Sequence, residues 1–213
     1  MTDPARALVP AQPLAAPSLR ILFVTSAHNS LSQRALVELS ELGHRIAVAV
    51  VDSGEAIEAA VARHRPELIV CPMLKTIIPD SVWTNHRCLI VHPGPKGDRG
   101  PSSLDWAIEL GMAEWGVTVL EATGEVDGGD VWASRTFRTR AAGKSSLYRH
   151  EVRRAAVEAV VEAVEGQVEP RPSAESRWRP LMRQSDRRIV LGIPYYRNGH
   201  SREAKLRACC VSG

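Results

Sequence analysis

A histidine and a later aspartate, His92 and Asp127, carry the first chemical signal in this chain. His92 opens the stretch H-P-G-P-K-G-D-R-G-P-S-S (residues 92–103), which follows an apolar run over 88–91 and precedes a helix-period segment from residue 104. A buried strand, a glycine-rich turn and a helix start therefore converge on one point. In α/β folds that point is the crevice beyond the carboxyl ends of the strands, where ligands bind. Gly94, Gly97 and Gly100 permit positive φ and close approach of the backbone to a ligand. Pro101 suits the first helical position, and helix amides there favour negative charge in the crevice. Asp127 lies in the loop G-E-V-D-G-G-D (residues 124–130), where three carboxylates sit beside glycines. An imidazolium can donate to a developing oxyanion, and a carboxylate beside it orients the ring and favours its charged form. Such a pair suits acyl transfer from an amide, in which an alkoxide forms and a poor nitrogen leaving group must gain a proton.

Plainer readings compete. His92 could cap or pack in an ordinary strand-to-helix turn, and Asp-Gly is common turn spelling. The three Gly-X-Y triplets from Gly94 cannot form a triple helix between a strand and a helix. Taken alone, the stretch leaves the catalytic and the packing readings both open.

The elements that would hold these residues follow from hydrophobic period. The run I-L-F-V over 21–24 is continuous and apolar, as expected of a central parallel strand buried on both faces. A helix follows, with Ser30 and Gln33 as a capping box, Leu31, Ala35, Leu39 and Leu42 as its apolar side and Gly43 as its stop. A strand over 46–51, a helix over 56–64 and a strand over 68–70 come next. A short helical turn over 79–85 and a fourth strand ending at His92 complete the series. Strand-helix alternation with short loops predicts a three-layer, doubly wound α/β fold with a mostly parallel sheet. Beyond a helix over 103–110, strands are expected over 115–121 and 131–138, and one amphipathic helix over 145–164. No G-x-G-x-x-G follows the first strand, which argues against a nicotinamide dinucleotide.

With 213 residues the chain suffices for one sizeable domain. Residues 1–18, rich in Ala and Pro, read as a disordered leader, 19–166 as the domain, and 167–213 as a basic tail or truncated linker. Between Arg171 and Arg207 there are ten Lys/Arg against three acidic residues, so the remainder is net acidic. The tail is read as a solvated segment rather than a nucleic-acid site. No apolar run approaches the roughly 20 residues of a membrane span. Cys71, Cys88, Cys209 and Cys210 show neither metal nor disulfide spacing, which points to a reducing, cytoplasmic setting without a metal centre.

The string H-P-G-x-x-G-D-R-G-P-S-S-L-D-W-A-I, with W-G-V-T-V-L from Trp115 and D-x-G-D-V-W-A from Asp127, resembles the folate-dependent formyltransferases, and most closely their hydrogenase-maturation branch. The resemblance runs over residues 19–188. It implies that His92 polarises a formyl oxygen while Asp127 supports it and relays protons through water. The implied donor is 10-formyltetrahydrofolate, held by the segment over 73–77, with Met73 and Lys75, and by the loop with Val126 and Asp130. Gly94 and Arg99 belong to the same expected pocket, Arg99 either holding an anionic tail or pairing with Asp98 or Asp105. His28, Asn29 and Ser30 correspond to the place where acceptors dock, and the implied acceptor is coenzyme A. A crotonase-like domain is the implied partner; it releases carbon monoxide, which becomes a ligand of the nickel–iron hydrogenase centre. Two departures qualify this. Ile90 stands where the wider family has the asparagine of Asn-x-His, and the chain ends at Gly213 without room for the partner domain. A formyl-donor hydrolase and a non-catalytic folate-binding or assembly module are the alternative expectations.

Overall fold

The computed structural model describes residues 18–166. The leader, except Ser18, and the basic tail fall outside the described residues. Six strands form one sheet: β1 (Arg20–Thr25), β2 (Arg45–Val50), β3 (Leu68–Cys71), β4 (Cys88–His92), β5 (Glu114–Glu121) and β6 (Val131–Arg138). Their spatial order is β2-β1-β3-β4-β5-β6. The first four are parallel, and β5 and β6 add antiparallel strands. This is the mixed, mostly parallel sheet expected from the alternating pattern.

The strands alternate their side chains between two helical layers. Leu22 and Val24 of β1, Ile69 and Cys71 of β3 and Cys88 of β4 pack beneath α2 (Gly54–His64) and α3 (Asp80–Trp83), through Ile57, Val61 and Val82. Their neighbours Ile21, Phe23, Leu68, Val70, Leu89 and Val91 are also buried, on the opposite face. There α1 (Ser30–Glu41) packs on α6 (Arg153–Glu165), which also lies on β5 and β6. Each fully buried Leu, Ile, Val or Phe contributes roughly 1.5–3 kcal/mol, so the apolar run of β1 must be central. Cys88, Ile90 and His92 share one face of β4, since side chains two apart point the same way. Ile90 packs against the α2–α3 cluster.

Several local expectations need correction. Helix α1 is capped by Asn29, whose Oδ1 accepts from Leu31 N and Ser32 N at 3.0 and 3.1 Å, not by a Ser30–Gln33 box. Gln33 instead donates to the His28 carbonyl. Leu42 lies beyond the helix and is exposed. Pro101 is not the first helical residue: α4 (Ser103–Glu109) starts after Ser102, which takes a left-handed φ of 66°. The single helix expected over 145–164 is three pieces: α5 (Lys144–Leu147), a π-helical turn (Tyr148–Val152) and α6. A wider turn changes the angular position of later residues, which an unbroken 3.6-residue period does not anticipate.

Candidate functional site

Strand β4 delivers His92 to the carboxyl end of the parallel sheet, and β5 pairs with it there, Thr118 opposite His92. The chain then curls into a tight turn whose carbonyls are pinned from outside. Ser103 Oγ and Trp115 Nε1 donate to the Pro93 carbonyl at 2.8 and 3.0 Å, and Thr118 Oγ1 donates to the Gly94 carbonyl at 2.9 Å. Gly97 and Gly100 both take φ of 84°, the left-handed region glycine tolerates. The turn folds back on the histidine. Asp98 Oδ2 lies 2.8 Å from His92 Nε2, and both residues are buried.

Asp127 arrives from the other direction. Ala122 N donates to the Cys88 carbonyl at the amino end of β4, whereas Asp127 reaches His92 at its carboxyl end. The loop therefore travels the length of β4, roughly 13 Å at a strand's rise per residue. Asp127 Oδ2 accepts from Gly100 N at 2.7 Å and stands 3.3 Å from His92 Nδ1. Asp127 holds φ of 50°, which aspartate adopts more readily than most residues. Arg99 Nη1 meets Glu125 Oε2 at 2.7 Å and ties the same two segments together at the surface. Asp98 and Asp105 are thus not its partners; Asp105 pairs with Lys144 at 2.6 Å.

The imidazole is therefore flanked by a carboxylate at each ring nitrogen. Carboxylates only accept, so the set is satisfied only when it holds two protons between its three members. Asp98 is the residue that sequence reasoning missed. A buried aspartate in a glycine-bracketed turn looks like any turn aspartate until the turn's curl is known.

The remaining expected residues sort into two groups. Val126 is exposed next to Asp127, and Asp130 is exposed, its carbonyl accepting from Glu121 N. Gly94 is buried against His92 and Asp98. The second group joins the loops after β1 and β3. Ser26 N and Thr25 Oγ1 donate to the Met73 carbonyl, Lys75 N donates to Ser26 Oγ, and Asn29 Nδ2 contacts Met73 Sδ at 2.6 Å. The Asn29 amide is thereby engaged by the helix cap and Met73. The Lys75 and Ser30 side chains are exposed, and His28 Nδ1 meets Ser32 Oγ at 3.0 Å. Trp115 is buried and Trp83 bonds Asp80, while Trp132 bonds Glu121 beneath Arg87.

Neither described cysteine is poised for chemistry. Burial pushes the Cys88 thiol up to about 12, with a further push from the Glu121 charge. Burial raises Cys71 well above its ordinary value, with Cys88 adding to it. None of the described helices is long and apolar enough to cross a membrane.

The family model described as formyl transferase matches residues 49–164. The hydrogenase maturation factor HoxX of Bradyrhizobium diazoefficiens is 50% identical over 179 residues, covering 80% of this chain and 32% of that protein. HypX from Aquifex aeolicus, solved in complex with tetrahydrofolic acid, superposes with a TM-score of 0.72 at 48% identity, over 75% of this chain and 29% of that one. A methionyl-tRNA formyltransferase of Bordetella avium is 30% identical over 119 residues, 53% of this chain and 37% of that protein. The chain thus spans about a third of the length of these relatives.

Proposed function

The chain belongs to the formyl transferase family, closely related to hydrogenase-maturation factors, and we propose that it takes the formyl group of 10-formyltetrahydrofolate and passes it to an acceptor. The observation that carries this reading is the convergence of His92 and Asp127, at 3.3 Å, on the carboxyl end of the sheet. Tetrahydrofolic acid bound to the Aquifex relative supports the choice of donor. The pterin would sit by the loops bearing Met73, Lys75, Val126 and Asp130, with Gly94 and Arg99 at the turn. The acceptor would approach by His28 and Ser30, Asn29 holding that loop in shape.

In this reaction the acceptor's thiol or amine adds to the formyl carbon, and the formyl oxygen gains charge. His92 donates to that oxygen. The carbon–nitrogen bond then breaks, and the acceptor's proton ends on the departing folate nitrogen, relayed by Asp127 through water. Ile90 supplies no donor where the wider family has asparagine. In well-studied hydrolases the loss of one oxyanion donor costs about a hundred- to a thousandfold in rate, so more of the burden falls on His92 and the turn amides. Coenzyme A as acceptor, a crotonase-like domain as partner, and carbon monoxide supply to a nickel–iron hydrogenase complete the reading; kinship with HoxX and HypX supports the maturation setting.

The test uses purified chain with 10-formyltetrahydrofolate, followed by absorbance with and without coenzyme A. Turnover that requires coenzyme A, and that His92→Ala abolishes, is the expected result. Turnover indifferent to coenzyme A would make the chain a hydrolase. Binding without turnover would make it a non-catalytic folate module. No binding at all would end the folate reading.

A further inference from the structure

We propose that Asp98 is the positioning residue for His92, and that Nδ1 is the ring nitrogen presented to the ligand; this rests on the formyl-transfer reading above. Asp98 and His92 side chains are 1% and 4% exposed, whereas that of Asp127 is 12% exposed. The imidazole therefore has an inner side, facing Asp98, and an outer side, facing Asp127, the least buried of the three. The inner contact is short, 2.8 Å from Nε2 to Asp98 Oδ2. The outer one is long, 3.3 Å from Nδ1 to an Asp127 oxygen that already accepts from Gly100 N. An incoming formyl oxygen or bridging water meets the looser, exchangeable side first.

Two further observations point the same way. Asp98 Oδ1 is buried and no donor among the described residues reaches it. A buried carboxylate oxygen without a donor weakens a fold, so stability does not explain an aspartate here. Its remaining bond is to His92. Second, a Cβ at position 94 would stand 2.2 Å from Asp98 Oδ2, 2.4 Å from His92 Nε2 and 2.6 Å from Ser103 Oγ. Gly94 thus leaves the volume in which Asp98 and the ring meet. The arrangement follows the general logic of a buried carboxylate behind an imidazole, which sets the ring's orientation. It gives His92 a fixed aim in a site that lacks the asparagine donor. Asp98 neither gains nor loses a proton over the cycle: Nδ1–H donates to the formyl oxygen and recovers its bond when the carbonyl reforms.

The test uses the full 213-residue chain and its Asp98→Asn, Asp98→Ala and Asp127→Asn variants. Proton NMR of chain labelled at histidine nitrogen follows the imidazole N–H signals of His92, and steady-state assay with 10-formyltetrahydrofolate and coenzyme A follows turnover. A slowly exchanging, downfield Nε2–H is expected in the parent chain, retained in Asp127→Asn, moved in Asp98→Asn and lost in Asp98→Ala. In Asp98→Asn, kcat should fall on the order of 10²- to 10⁴-fold, as when the carboxylate behind a catalytic imidazole is neutralised, with KM nearly unchanged. An Nε2–H signal indifferent to Asp98, kcat within about twofold of the parent, or a change confined to KM would each overturn the assignment. Should the parent chain show no turnover, the functional reading fails by itself, and the N–H signal still decides whether Asp98 holds the ring.

Discussion

Replacing Gly94 by alanine isolates the steric demand of the site. Gly94 is not among the glycines with positive φ, so alanine brings no left-handed strain and any effect comes from the added methyl group. That methyl would approach Asp98 Oδ2, His92 Nε2 and Ser103 Oγ to 2.2, 2.4 and 2.6 Å, all shorter than real Cβ contacts. Three collisions at once cannot be relieved by one rotamer, because His92 and Asp98 are buried and the turn is pinned by Ser103, Trp115 and Thr118. Overpacking costs about 1–3 kcal/mol, and a charge-assisted hydrogen bond driven apart costs about 1.5–3 kcal/mol more. Gly94→Ala should therefore lose roughly 2.5–6 kcal/mol, with folding and binding both affected. For a domain of this size that lowers Tm by about 5–24 °C, at some 2–4 °C per kcal/mol. Urea denaturation alongside a thermal scan measures it. Gly43→Ala is the counterpart: φ is 94° with nothing within 4 Å of its Cβ, so it should lose only about 1–2 kcal/mol through backbone strain. If Gly94→Ala melts within a degree or two of the parent, or loses less than Gly43→Ala, the packed His92–Asp98 arrangement is wrong.

Asn29→Ala removes the cap that receives Leu31 N and Ser32 N and should cost about 1 kcal/mol in a denaturant titration. Thr118→Val deletes the bond to the Gly94 carbonyl and should cost about 1 kcal/mol, while lowering turnover by loosening the turn under His92. Native Cys71 and Cys88 should resist a thiol reagent at pH 8 and react only on denaturation, because burial holds both as neutral thiols. The same shift links stability to alkaline pH. Both folded-state values lie above the unfolded one, so the unfolded chain releases its protons first. The contribution is fully present below pH 9 and is lost as pH rises, for Cys88 through about 12. The loss from one thiol is on the order of 1 kcal/mol per pH unit. Cys88→Ala should flatten that alkaline slope in denaturation curves taken between pH 9 and 11.

The architecture was legible because its signals are local. Continuous apolar runs mark strands buried on both faces, and Gly43 stops α1 where the period ends. His92 could be placed at a strand end, and Asp127 in a glycine-bracketed loop, from spelling alone. Where α1 is capped and where the last helix breaks depend on side-chain competition for backbone amides and on packing against the sheet. Neither has a period to read. Ser30 beside Asn29, and Pro101 beside Ser102, offered plausible local answers that the tertiary context overrode.

The order of elements, the doubly wound start and the candidate histidine and aspartate were thus determined by sequence alone, since hydrophobic period and residue type express themselves over a few positions. The identity of the group behind the imidazole was decided only by the folded chain. Asp98 reaches His92 because a turn without a side chain at Gly94 is held closed by Thr118 and Trp115 from another strand. That proximity costs chain entropy which only the assembled core can offset, so no window of residues around Asp98 reveals it.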